Sequence, residues 1–411
     1  AGNWADARQY WTLDRNSNSI SWQPEAAQEH YDHIEMSGRQ VSAVLRYGVD
    51  SEGRFVLNKS MIWPMLRTVP NNTHASLMRR FDWNPLDAVT ADGRSLSEHV
   101  ERLTIDGTLK VHSSISVGRN RSLSLERTYF PSTDMPALLE LYTFRNTGTE
   151  PVYIEWPAIQ DEVTTDPARG TEGSYRIYLT VSEGGAVTLA PGGTCSFAAS
   201  VSAAGPGEES VCLTAEETLT ELDKRMQAVN GWTSNLVLET PDSVINRMFA
   251  FSKIRACESI FETEGGPMHG PGGESYYAAI WANDQAEYIN PYFPFTGYAY
   301  GNASALNSFR HFARFMNDEW KPIPSSIIAE GKDIWNGAGD RGDAAMIAYG
   351  AARYALARGD MNEAGELWPL IQWTLEYCRR HLNSEGTVNS DSDELEGRFP
   401  AGEANLCTSS L

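Results

Sequence analysis

The sequence has no run of 18 apolar residues, the least that a membrane-spanning helix needs, so no membrane insertion is expected. Positive charge is scarce: 33 Lys and Arg stand against 54 Asp and Glu, for a net charge of −21. A surface that acidic repels phosphate backbones and anionic membranes, which argues against a nucleic-acid partner and favours an uncharged or weakly charged one. The five cysteines, Cys195, Cys212, Cys257, Cys378 and Cys407, are odd in number and widely spaced. They make neither a metal motif nor a complete disulfide framework, and are expected to be mostly buried small hydrophobes, with Cys195 and Cys212 the pair weighed for a bridge. There is no Gly-Lys-Ser/Thr phosphate loop, no Gly-X-Ser-X-Gly elbow between a strand and a helix, and no His-Glu-X-X-His. No metal and no cofactor are expected. The opening residues, AGNWADARQYW, show neither a basic nor an apolar leader segment, so the expectation is a cytoplasmic protein or one whose signal has been removed, with a periplasmic or secreted location preferred.

What is present divides into two textures. Residues 1–212 carry short alternating runs such as RQVSAVLRYGVD, LTIDGTLKVHSSISV and YRIYLTVSEGG, punctuated by Gly, Asn and Asp. Period-2 alternation with β-branched and aromatic enrichment predicts an antiparallel β-sandwich. Residues 213–240 predict a linker helix and connection, opened by Thr214 with Glu217 three positions on, the spacing of a capping box. From 241 to 411 the apolar residues fall near the 3.6 period in successive segments, which predicts an all-helical second half of about six helices.

Three junctions in that half concentrate carboxylates and tryptophans: ESYYAAIWANDQAE with Trp281 and Asp284; EGKDIWNGAGDRGDAAM with Glu330, Asp333, Trp335, Asp340, Arg341 and Asp343; and NSDSDELEGRFPAGEAN with Asp391, Asp393, Glu394, Glu396 and Glu403. Each is expected in a loop that enters a helix, where a rigid scaffold displays functional groups. A sugar ring offers apolar C–H faces to Trp or Tyr and hydroxyls to carboxylates, and cleavage of a glycosidic bond needs two carboxyl groups on opposite sides of the anomeric carbon. The competing reading of Asp284, Asp343 and Glu403 is that each merely caps a helix dipole, and single tryptophans are more often core than platform. Repetition of the same residue types at three successive junctions favours the functional reading.

On these residues the sequence resembles the six-hairpin glycosidases, in particular glucoamylases and the glucosidase domain of glycogen-debranching enzymes. IWANDQA is similar to the family's Trp-X-Arg-Asp segment, which implies a sugar-binding role for Trp281 and Asp284, although Asn283 stands where the family has arginine. PIPSSIIAEGKDIWNGAGDRGDAAM is similar to the Ile-Pro segment followed by Asp-Ala at a helix start, which implies substrate binding by Asp343, with Trp335 and Arg341 at the same rim. DSDELEGRFPAGEAN is similar to the acidic loop with the general acid, which implies Asp393 or, as the competing choice, Glu394.

The resemblance implies an N-terminal β-sandwich, a linker helix and an (α/α)6 toroid whose first half lies in residues 241–411. It implies an exo-acting inverting glycoside hydrolase that removes a terminal sugar from an oligosaccharide or polysaccharide, with an α-glycoside as the preferred linkage. The general base matches no residue here, and the remainder of the barrel is expected from a continued or second chain. The alternatives are a disaccharide phosphorylase of the same plan, a non-catalytic carbohydrate-binding protein and, third, a polysaccharide lyase.

Overall fold

The computed structural model describes residues 10–15, 17–25, 29–333, 339–392, 405 and 409–410. Contacts divide the chain into two compact units. The first comprises Ala1–Leu66, Leu77–Thr233 and Val237–Glu258, and the second Arg67–Ser76, Ser234–Leu236 and Ser259–Leu411.

The first unit is built on a long antiparallel sheet whose strands run in spatial order Thr12–Leu13, Ile20–Trp22, Glu98–Ile105, Leu109–Gly118, Arg121–Pro131, Ala137–Asn146, Thr194–Ala204, Arg176–Val181 and Ile159–Thr164. Strand Leu109–Gly118 shows why the sequence folds this way: Leu109, Val111, Ser113 and Ile115 are buried while the residues between them are partly open. That is the period of a pleated strand with one face on a core. Two smaller sheets cover the long one. One holds His30–Ser37, Ser42–Val49, Phe55–Arg67 and Ser76–Phe81, and packs Leu45, Tyr47 and Trp63 against Val100, Leu103 and Leu109. The other holds Gly185–Leu189, Val152–Trp156, Thr90–Ala91 and Arg94–Ser95, and packs Ala91, Val152 and Ile154 against Ile115, Leu123 and Phe144.

Helix α1 (Ala215–Ser234) starts as its sequence predicts: the backbone N–H of Thr214 donates to Glu217 Oε2 at 2.8 Å, and that of Glu217 donates to Thr214 Oγ1 at 3.3 Å. Its Arg225 is buried and ion-paired with the buried Glu258 at the end of α2 (Ser243–Glu258). The same guanidinium donates to the backbone oxygens of Gly107 and Ser37, so its charge and donors are satisfied inside the unit.

The second unit carries α3 (Phe293–Thr296), α4 (Ala299–Ala313), α5 (Asp343–Arg358) and α6 (Met361–Arg380). The expectation of an all-helical second half is corrected by two small sheets, Ile260–Thr263 with Gly266–His269 and Ala279–Trp281 with Ser326–Ile328. Both strand pairs are too short to show a period, and their apolar residues blend into the helical pattern on either side. The cysteine expectation is corrected in part as well. Cys195, Cys212, Cys257 and Cys378 are free thiols, and Cys212 is exposed because it follows the last strand of the sandwich instead of pointing into it.

Candidate functional site

The second unit gathers its chemistry at the N-terminal end of α5. Gly342, at φ 92°, turns the chain into the helix in a conformation that a side chain would strain, and so sets Asp340, Arg341 and Asp343 around a single bend. Asp340 is 5% exposed and Asp343 3% exposed. Asp340 Oδ1 accepts from the backbone N–H of Gly342 at 2.9 Å, and its Oδ2 accepts from the hydroxyl of Tyr377 on α6 at 2.9 Å. The third junction meets the second here. The N–H of Asp340 donates to Asp391 Oδ2 at 2.7 Å, while the N–H groups of Asp391 and Ser392 donate to Asp340 O at 2.9 and 3.1 Å.

Burial and the neighbouring Asp340 push Asp343 up to about 7, against the opposing pull of Arg341. Asp340 is also raised, chiefly by burial, with the donors from Gly342 and Tyr377 pulling the other way. Asp343 Oδ2 and Arg341 Nε are buried and have no hydrogen-bond partner among the described residues. A helix-capping carboxylate on an exposed first turn would be solvated and ionised, so the capping reading does not account for this one.

Tyr377 is held by an aromatic column that the sequence reasoning missed. Trp320 stacks on Trp373 at 5.3 Å, Trp373 on Tyr377 at 5.5 Å, and Tyr377 on His381 at 4.1 Å. The signal was available, since Trp373, Tyr377 and His381 recur every four residues and so share one helix face.

Trp281 lies on the strand Ala279–Trp281 and not in a loop, which corrects that expectation; helical backbone follows directly at 282, with Asp284–Ile289 in π-helical form. β-Structure wins because Ala279, Ile280 and Trp281 pair with Ile328, Ile327 and Ser326. Trp281 meets Tyr276 edge-on at 5.5 Å, and His74 lies 5.0 Å from Tyr276 and 6.2 Å from Trp281. His74 comes from residues 67–76, a segment far away in sequence that sequence reasoning left out. Arg67 fixes that segment by donating to the backbone oxygens of Ala75 and Asn72 and to Glu330 Oε1 at 2.9 Å, and Asn71 donates to the same carboxylate oxygen at 3.1 Å.

Gly350 of α5 abuts the carbonyl of Ala286, where a side chain would collide, and Arg353 Nη1 donates to Glu287 O at 3.2 Å. The turn that Asp284 opens is therefore packed against the middle of α5. Trp335, Asp393 and Glu394 lie outside the described residues. Among the described residues no group of three His, Cys, Asp or Glu side chains is placed to hold a metal ion.

The fold, an antiparallel sandwich followed by packed helices, is one that the chain shares with solved structures of carbohydrate-processing proteins. Among solved structures the chain is similar to one described as a putative kojibiose phosphorylase from human microbiome, at 8% identity and a TM-score of 0.51, over 92% of this chain and 61% of that one. The chain thus spans about three fifths of that protein's length. It is also similar, at 10% identity and a TM-score of 0.36, to a bacterial glucoamylase complexed with acarbose, over 95% of this chain and 74% of that one. No family model and no curated protein matches the sequence.

Proposed function

We propose that the chain is a carbohydrate-active enzyme whose helices belong to an (α/α)6 toroid and whose sugar pocket is lined by Trp281, Asp284, Arg341 and Asp343. The observation that carries this reading is Asp343: a buried carboxyl raised to about 7, with one oxygen lacking a partner among the described residues, at a bend where two further carboxylates converge. Such a group exists in both protonation states near neutrality and can donate to or accept from a sugar hydroxyl. Trp281 and Tyr276 add aromatic faces for the ring's C–H groups. The sandwich-plus-helices fold supports the same class.

The preferred reaction is exo-acting hydrolysis with inversion of an α-glycoside. Asp393 or Glu394 gives its proton to the leaving oxygen as the anomeric C–O bond breaks. Water attacks from the opposite face and surrenders its proton to a base carboxylate, across a carboxyl separation of roughly 6.5–9.5 Å. None of the described residues is assigned that role.

Arg341 favours a second reading. Its buried Nε has no partner among the described residues, and a guanidinium beside the pocket suits an inorganic phosphate as attacking group in place of water. Phosphorolysis would then transfer the sugar to a phosphate oxygen while the leaving oxygen takes the acid's proton.

Incubation with kojibiose, maltose and maltotriose, with and without phosphate, separates the two. Free glucose in phosphate-free buffer means hydrolysis, and a sugar 1-phosphate formed only with phosphate means phosphorolysis. If neither product forms with any glycoside, while Asp343→Asn leaves sugar binding unchanged, the reading fails.

A further inference from the structure

The first unit contains a cavity of about 550 Å³ that the proposed activity does not use. It lies where the strand Phe55–Arg67, the short helical turn Pro85–Ala88 and the Arg94–Ser95 strand face the long sheet. Its polar wall includes Asp50, Arg54, Asn84, Asp87, Glu98 and Arg127, and Phe55, Leu96 and Leu125 supply apolar patches between them.

Arg127 is the unusual member. It is 2% exposed, its guanidinium lies 5.0 Å from the Phe55 ring centroid, and Nη2 is ion-paired with Glu98. Its Nε and Nη1 have no partner among the described residues. Leaving donors of a buried cation unused is costly, and folding alone does not require it at the edge of a cavity. Arg54 is already paired, its Nε donating to Asp50 Oδ2 at 2.9 Å, and Asp87 Oδ1 accepts from Asn84 Nδ2 at 3.0 Å.

Three carboxylates against two guanidiniums leave the wall close to neutral, which disfavours an anion such as a nucleotide. A wall so polar disfavours a lipid chain. The ligand that suits it has hydroxyls on its edges and C–H groups on its faces, and a volume of this size lies within the roughly 300–1,000 Å³ of small-molecule sites. We infer that this cavity is a second binding site, separate from the carboxylate bend, for a short neutral oligosaccharide. Donors from Arg54, Asn84 and Arg127 and acceptors from Asp50, Asp87 and Glu98 would hold its hydroxyls, with Leu96, Leu125 and the edge of Phe55 against its C–H groups. The ligand class follows from this wall and does not need the second unit to be an enzyme.

The test is calorimetric titration of the whole chain with maltotriose and, separately, cellotriose, on the parent, Ser95→Trp and Asp343→Asn proteins. Ser95 is exposed and lines the cavity, so a tryptophan there fills it without disturbing a core. The expected result is a site kept by Asp343→Asn and weakened at least about tenfold in Ser95→Trp, with the parent melting temperature retained. If Ser95→Trp does not fold, Asp87→Ala, on the exposed rim, carries the same comparison. No binding to Asp343→Asn up to about 10 mM of either sugar, or binding that neither cavity variant weakens, overturns the inference.

Discussion

Asp340 and Asp391, 51 residues apart, hold each other by reciprocal hydrogen bonds: the N–H of Asp340 donates to the carboxylate of Asp391, and the N–H of Asp391 donates to the carbonyl of Asp340. The bend that displays Asp343 is thus tied to the acidic loop after α6 through backbone groups that neither segment satisfies alone.

Replacing Asp391 by alanine removes the acceptor for a buried backbone N–H. The expected cost is about 1–3 kcal/mol of stability, measured by urea denaturation. Turnover should fall more than binding of distant ligands, because the bend loses its fixed shape. An unchanged denaturation midpoint would show that the tie is dispensable.

The stability of the protein should depend on pH through Asp343. Its carboxyl stands at about 7 when folded and at its ordinary 3.8 when unfolded, so the folded state binds the extra proton between these values. Stability then falls as pH rises from about 4 to 7, and the full penalty, of the order of 4 kcal/mol before any relaxation of the site, is present above 7. Asp343→Asn should abolish that component, gaining stability over the parent at pH 8 and little or nothing at pH 4. Denaturation curves at the two pH values check the sign.

Arg225 and Glu258 form a buried ion pair, and breaking it one side at a time leaves an uncompensated charge. Arg225→Met should cost about 3–5 kcal/mol, and the double variant with Glu258→Leu should recover part of it. Equal losses in the single and double variants would show that the guanidinium's bonds to Gly107 and Ser37, and not the pair, do the stabilising.

Trp281→Ala should raise KM for a glycoside substrate by about tenfold or more with a smaller effect on kcat, as expected of a ring that binds sugar equally in the ground and transition states. His74→Ala should act in the same direction and more weakly, since its contact with Trp281 is longer. Kinetics of both variants on the active glycoside decide this, and an unchanged KM in Trp281→Ala would remove the platform.

The sandwich was legible because alternation over runs such as Leu109–Gly118 is long enough to be unambiguous. The capping box at Thr214 and Glu217 was legible because it is local. Trp281 was misread because three strand residues carry no period, and their pairing with Ser326–Ile328 is visible only in three dimensions. Asp340, Asp343 and Asp391 were all named from the sequence, but nothing local says that Asp391 accepts from Asp340 or that Tyr377 reaches the same carboxylate. His74 was missed for the same reason, as it comes from a segment that lies just over 200 residues before its nearest aromatic partners.

The chain leaves one unit and enters the other after Leu66, Ser76, Thr233, Leu236 and Glu258. Neither unit is a contiguous cassette, and this constrains how the gene can be cut or recombined. A fragment starting at Ser259 would contain Glu330 without Arg67 and Asn71, leaving a largely buried carboxylate stripped of its cation and of the amide that donates to it. A single crossover between Ser76 and Ser259 would separate those partners in the same way, so moving the second unit intact requires the ten residues Arg67–Ser76 to travel with the helices.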